Sequence, residues 1–343
     1  MIVCSYEDRP DHLVGLQLLV LCLRRHAAEL ALDLTCPQAP VWFKDWLGQF
    51  PGIRLRERPS WQGRGWNIKP GKLLELLGEG HPEVVWIDGD IILNGDFRPL
   101  LTNLTAEDLV VTEEVYWGQR QGGTERTESW GLPVGRALPC TVNSGLLRVT
   151  PRHVKLLEFW QHLMLQPRYL AAQDAPYYTR PLHMVGDQDV LTAVLGSKPF
   201  ADVPVRFLKR GSQIIQNFGP AGYTLPERLR NLLCGLPPLI HAQGRKPWEY
   251  SELPDFRRSL RHYYEAVYLE LSPYTHLARH YRASLDQSCP WMEVRTLPGR
   301  ICAALARGEP TLAGAPQAAF DTAVRRLKQL LHLSRYRIAP ATE

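Results

Sequence analysis

The chain has 343 residues, 45% of them hydrophobic, and a formal net charge of +5. That is ample material for the core of one large domain or two small ones, and no tract is polar enough to argue for long disorder. The small basic surplus suits a polyanionic ligand such as a nucleotide diphosphate, or an acidic membrane surface; no basic motif of a known nucleic-acid module accompanies it, so no nucleic-acid partner is expected.

Ile2 to Ser5 reads as a short apolar strand, and Asp11 is placed to cap a helix running to about Arg25. The apolar stretch within it, Leu13 to Leu23, is too short to span a bilayer and is interrupted by Gln17. Glu7 and Asp8 stand where a signal peptide would be positive, so a buried helix is expected. Leu32 to Cys36 and Ile53 to Glu57 are the next strands, and a helix from Lys72 to Leu77 leads into Val84-Val85-Trp86-Ile87, a run typical of a buried strand. Leu109 to Thr112 is a further strand. Gly118 to Pro139 has no periodicity and reads as a long functional loop. Thr141 to Thr150 returns to strand character, and Pro151 opens a helix with Leu156, Leu157, Trp160 and Leu163 on one face. Past Pro247 the chain is helical and richer in Arg and His. This alternation predicts an α/β sheet flanked by helices, followed by a helical C-terminal region. Seven scattered cysteines without a C-x-x-C pair argue against a disulfide framework or zinc cluster, and for a reducing cytoplasm.

Four segments carry chemistry. Asp88-Gly89-Asp90 ends the Val84 to Ile87 strand, and ligands of open α/β sheets bind outside the carboxyl ends of strands. Two carboxylates one residue apart can turn toward one Mg²⁺ or Mn²⁺, which then bridges phosphate oxygens; the alternative is a plain Asp-Gly surface turn. In Thr141-Val142-Asn143-Ser144-Gly145-Leu146-Leu147, polar residues interrupt a strand and Gly leaves room for close approach, as a ligand site or a β-bulge would require. Gly186-Asp187-Gln188-Asp189 precedes the helical run Val190 to Leu195; Asp187 and Gln188 either cap that helix or face a sugar ring. In Pro238-Leu239-Ile240-His241-Ala242-Gln243-Gly244-Arg245-Lys246-Pro247-Trp248, an apolar strand ends in His241, a structural histidine or a transition-metal ligand, with Lys246 as a point charge for phosphate.

Together these segments resemble the family-eight retaining glycosyltransferases, which pair an Asp-x-Asp strand end with an Asn-Ser-Gly strand, an Asp-Gln helix start and a His-x-x-Gly-x-x-Lys-Pro-Trp segment. All four stand here in that order, within residues 1–250. The resemblance implies a GT-A type fold, a Rossmann-like mixed sheet flanked by helices, over 1–250, with 251–343 as a mostly helical extension. It implies that Asp88, Asp90 and His241 hold Mn²⁺, or Mg²⁺, on the diphosphate of a UDP-sugar, with Gly89 between the carboxylates. It further implies that Lys246 and the Gly244 backbone meet the phosphates, and that Asn143, Ser144, Asp187 and Gln188 surround the donor sugar. A basic residue upstream of Asp88 should face the donor; Lys69 and Lys72 both qualify, with Lys72 preferred by spacing. The end of the first strand, where the family reads uracil, is Cys4-Ser5-Tyr6-Glu7-Asp8, which departs from the commoner pattern; Ser5 lies there, Tyr6 can stack on a base and Asp8 can accept from it.

The expected reaction is therefore hexosyl transfer from a nucleotide-sugar donor to an acceptor hydroxyl with retention, the acceptor being a glycan, a lipid-linked sugar, a small molecule or a peptide. The alternatives are a haloacid-dehalogenase-type phosphotransferase, which also places Asp-x-Asp after an apolar strand but leaves His241 to Trp248 unexplained, and a nucleotide-sugar-binding protein without catalysis. His276 and His280 are four apart, but no Glu follows His276, so a solvated helix face is expected there rather than zinc. Near the end, within 318–337, Phe320, Ala323, Val324, Leu327, Leu330 and Leu331 share a helical face with Arg325, Arg326, Lys328, Arg335 and Arg337 as a basic complement. Such a helix either packs on the domain or lies on the inner face of a membrane.

Overall fold

The computed structural model describes residues 1–331 apart from 60, 62, 64, 115–122 and 286–287. Its strands are β1 (Ile2–Tyr6), β2 (Ala31–Thr35), β3 (Ile53–Arg56), β4 (Val84–Ile87), β5 (Ile91–Leu93), β6 (Leu109–Glu113), β7 (Val142–Val149), β8 (Val205–Leu208), β9 (Ile214–Gln216) and β10 (Leu239–His241). The chain divides into two compact units, one of residues 1–10, 29–88 and 101–208, the other of 11–28, 89–100 and 209–343.

The first unit holds a seven-stranded sheet of order β3-β2-β1-β4-β7-β6-β8. β3, β2, β1 and β4 run parallel, β7 is antiparallel to both β4 and β6, and β8 is parallel to β6. The mixed α/β sheet flanked by helices, with a helical region toward the C-terminus, is thus as expected. From β1 the chain winds outward through β2 and β3, then returns to place β4 on the other side of β1. The carboxyl ends of β1 and β4, on either side of that reversal, are the position where such sheets take ligands.

All four side chains of β4 are buried, as expected of a strand in the interior of a mixed sheet. Leu73, Leu76 and Leu77 of the helix Lys69–Gly78 and Leu156, Leu157, Trp160 and Leu163 of the helix Val154–Met164 enter one core with Val84, Trp86 and Leu147. The first of these helices begins three residues before the expected Lys72, because Pro70 fits the opening turn, where its missing N–H costs nothing.

The second unit holds a three-stranded sheet, β5-β10-β9, and the helix Leu13–His26. Asp11 does not cap that helix: it lies in the 3-10 turn Pro10–His12, and the helix starts after His12 without a side-chain cap. The Leu93 N–H donates to Cys22 Sγ at 3.3 Å, joining this helix to β5. Gly15 lies in its first turn, where a Cβ would come within 2.6 Å of the Gly89 carbonyl oxygen. No helix of the described residues is long and apolar enough to cross a membrane.

The stretch expected as a loop, 118–139, lies partly outside the described residues; the rest contains the short helix Glu125–Ser129. Its sequence is polar throughout, and an apolar-pattern reading passes over it. What it buries is Arg126, whose Nε donates to Asp189 Oδ1 at 2.8 Å with both side chains almost fully buried. Burial raises the Asp189 carboxyl to about 6, against the pull of Arg126. The folded value lies above the ordinary 3.8, so the folded chain holds this proton more tightly than the unfolded one, and the group's contribution to stability falls as pH rises from 3.8 to about 6. Arg126→Met leaves that buried carboxylate unpaired and should cost about 3–5 kcal/mol in urea unfolding at pH 8. The loss should shrink at pH 5, where Asp189 takes a proton; an equal loss at both pH values would refute the assignment.

Candidate active site

At the end of β4 the chain leaves the sheet through Asp88, whose N–H donates to the Gly145 carbonyl of β7 at 2.8 Å. Trp86 Nε1 donates to Asp88 Oδ1 at 2.6 Å. Lys69, the first residue of its helix, reaches the same carboxylate at 3.1 Å. Its Nζ also donates to Ser144 Oγ at 2.9 Å and lies 3.4 Å from Asp187 Oδ2, which accepts from Ser144 Oγ at 2.6 Å. Burial alone would lower the Lys69 value, but Asp187 and Asp88 more than offset it and hold the ammonium above its ordinary range. Burial raises the Asp187 carboxyl, opposed by Lys69 and Ser144.

Of the two candidate lysines, the structure brings Lys69 to this group and not Lys72. Lys72 is wholly buried against Asp33 of β2 and lies 3.2 Å from Glu75. Helical geometry separates the two: three residues along the same helix, one ammonium points to the end of β4 and the other to the flank of β2.

Asp187 opens the helix Asp187–Gly196, with Trp160 Nε1 donating to its carbonyl at 2.9 Å. The N-cap is Gly186, and no side chain caps the helix, so the capping alternative for Asp187 and Gln188 does not hold. In β7 the bulge alternative holds. The register with β6 shifts between Val110 and Thr112, where Asn143 meets its partners. Asn143 Nδ2 donates to Gln188 Oε1 at 3.3 Å and to Glu114 Oε2 at 2.8 Å, and Gln188 Nε2 donates to the same Glu114 oxygen at 3.0 Å. The sequence gives no signal for Glu114, which follows β6 and adjoins undescribed residues.

At the end of β1, the Tyr6 hydroxyl donates to Asp8 Oδ2 at 3.1 Å, and the Gly65 N–H donates to the same oxygen at 3.0 Å. Tyr6 meets the edge of Trp61 with ring centroids 5.7 Å apart. Asp8 therefore ties down the segment around Gly65 as well as Tyr6. Ser5 is buried, and its Oγ has no hydrogen-bond partner among the described residues.

Antiparallel pairing of β10 with β5 sets His241 opposite Ile91, next to Asp90. His241 Nε2 lies 3.3 Å from Asp90 Oδ1, while Nδ1 faces Gln216 Oε1 at 2.7 Å. With Gln216 as acceptor of the Nδ1 proton, Nε2 is the nitrogen turned to Asp90, and it is the one that would ligate a metal on giving up its proton. Lys246 Nζ donates to Asp90 Oδ2 and, at 2.8 Å, to the Ala242 carbonyl. Burial pushes the Asp90 carboxyl up, but Lys246 and His241 outweigh it and hold Asp90 well below the usual carboxylate range. Gly244 adopts a φ of +85°, a turn that returns the chain toward Lys246 and that only glycine takes without strain. Asp88, Asp90 and His241 each offer one ligand atom within 4.8 Å of the others, so the cluster can hold a divalent cation. Two carboxylates and an imidazole suit Mn²⁺ and, less well, Mg²⁺, since nitrogen favours the later transition metals.

No family model matches the chain, and no curated protein matches it. Among solved structures it is similar to the bifunctional glycosyltransferase WbbM (13% identity over 72% of this chain and 46% of that one, TM-score 0.45). It is also similar to the glycosyltransferase GlyE of Streptococcus pneumoniae TIGR4 (17%, 82% and 63%, TM-score 0.44). A third is the galactosyltransferase LgtC in complex with donor and acceptor sugar analogues (15%, 84% and 97%, TM-score 0.47). The match covers less than two thirds of the length of WbbM and of GlyE. At that distance the likeness assigns no activity.

Proposed function

We propose that the chain is a GT-A type glycosyltransferase that moves a sugar, a hexose on UDP, from a nucleotide-diphosphate donor to an acceptor hydroxyl with retention. The observation that carries this reading is the gathering of Asp88, Asp90 and His241 within one ligand sphere. Residues 1–250 are the proposed catalytic domain and 251–343 its extension. The metal triad would hold Mn²⁺, which supplies Lewis acidity to the leaving diphosphate. Lys246 and the Gly244 backbone bind phosphate oxygens, and Lys69 bridges the side chains of Asp88 and Asp187. Asn143, Ser144, Asp187 and Gln188 position the donor sugar, and Ser5, Tyr6 and Asp8 border the base. Rate then comes from positioning and fixed charge rather than from a covalent step.

Turnover should be readable as UDP released from UDP-sugars with Mn²⁺. Chelation should abolish it, Mg²⁺ should restore less than Mn²⁺, and Asp90→Asn should be inactive while still folded. Undiminished release in excess chelator would sink the reading.

Retention follows from Gln188. Inversion requires a general base on the face opposite the leaving group, and a neutral amide cannot act as one at neutral pH. It can offer its carbonyl dipole to an oxocarbenium-like centre while the acceptor enters on the leaving-group side and gives its proton to a diphosphate oxygen. The two neighbouring carboxylates are engaged elsewhere, Asp187 with Ser144 and Lys69, Asp189 with Arg126. An α-linked donor should give an α-glycoside by anomeric NMR couplings; a β-linked product would contradict the role of Gln188.

The helix Ala315–Leu330 leaves Phe320, Leu327 and Leu330 more than half exposed. Arg335 and Arg337 of the expected basic complement lie outside the described residues. We propose that this face rests on the inner surface of an anionic membrane, leaving the chain a peripheral, cytoplasmic protein. Sedimentation with anionic vesicles should fall several-fold when Leu327 and Leu330 are both changed to Asp; unchanged partitioning would favour a helix that serves only the fold.

A further inference from the structure

Gln188 can act through its carbonyl only if that end of the amide faces the sugar. A glutamine amide is nearly two-fold in shape, and its torsion alone barely distinguishes the two orientations. The surroundings decide which is adopted. Asn143 is fixed first: its Oδ1 accepts from the Gly145 N–H at 2.9 Å and from the Thr112 hydroxyl at 3.0 Å. A backbone N–H can only donate, so the oxygen of Asn143 must face it and the NH₂ must face away, toward Glu114 and Gln188. Glu114 is 3% exposed and presents one oxygen to both amides, Asn143 Nδ2 at 2.8 Å and Gln188 Nε2 at 3.0 Å. A carboxylate only accepts, so Gln188 turns its NH₂ to Glu114 and its carbonyl oxygen to Asn143, 3.3 Å away. Flipping Gln188 would set carbonyl oxygen against carboxylate and NH₂ against NH₂, losing two hydrogen bonds and creating two repulsive contacts.

We infer that Glu114 is a positioning residue: a buried acceptor that, together with Asn143, fixes which end of the Gln188 amide is presented to the donor sugar. The inference rests on the donor-sugar reading of Gln188. It requires an acceptor at the Glu114 oxygen and not a base or nucleophile there. A glutamine at 114 can place its own carbonyl where that oxygen sits; a methionine cannot.

The test compares Glu114→Met and Glu114→Gln with the unchanged chain, following UDP release from a UDP-sugar with Mn²⁺, and calorimetric binding of UDP–Mn²⁺. Absence of release by the unchanged chain would fail the functional reading, independently of Glu114. Given turnover, Glu114→Met should lower kcat at least tenfold with donor KM and UDP affinity within about threefold, since base and phosphate contacts lie elsewhere. Glu114→Gln should recover most of the loss. In a Gln188→Met background, adding Glu114→Met should cost less than about threefold further, because its effect on turnover runs chiefly through that amide. A Gln variant as impaired as Met would overturn the inference in favour of a carboxylate acting directly on the substrate. Both variants melting lower with kcat unchanged would overturn it in favour of a purely structural residue. A full additional loss in the Gln188→Met background would also overturn it.

Discussion

The ammonium of Lys69 is the contact on which the Asp88 and Asp187 side of the site depends. It lies 3.1 Å from Asp88 and 3.4 Å from Asp187, and these two acidic side chains hold it above its ordinary range against the cost of its own burial. Lys69 in turn is held from three directions. The ring of Trp86 lies 5.6 Å away, Ser144 accepts two hydrogen bonds, and the helix behind it packs in the same core as the helix carrying Trp160. Trp160 then reaches Asp187 through its indole N–H. The apolar core thus sets the position of each charge.

The sheet explains why these groups converge. The strand order reverses between β1 and β4, so their carboxyl ends flank the position where sheets of this kind take ligands. β7 runs antiparallel between β4 and β6, so residues near its start, Asn143 to Gly145, lie beside the carboxyl end of β4. The register with β6 shifts next to Asn143, a local irregularity of the kind that re-aims a side chain.

The mixed sheet and the four motifs were legible because each concentrates its signal within a few consecutive residues. Val84 to Ile87 announces a buried strand, and Asp88-Gly89-Asp90 and His241 to Trp248 place their ligands at strand ends. Spacing favoured Lys72 over Lys69 and the structure reverses that choice, because the direction of an ammonium depends on where the helix begins. Glu114, Gln216 and Arg126 gave no signal, since each matters through a partner between 25 and 74 residues away. A buried carboxylate next to a strand looks in sequence like any other surface acid. The short helix around Arg126 was hidden for a related reason: an ion pair anchors it where a periodic reading looks for apolar residues.

Gly15 carries a consequence for any attempt to make the protein more robust. Glycine within a helix is ordinarily the first residue to replace, since alanine there gains about 0.4–1 kcal/mol by restricting the unfolded chain. Here the added methyl group would meet the Gly89 carbonyl at 2.6 Å and the Trp248 ring at 3.0 Å. The backbone between the two carboxylates of the motif would have to move, and with it the aim of Asp90. Selection for thermal tolerance and selection for metal affinity would therefore both keep glycine here, at a position far in sequence from the motif it protects.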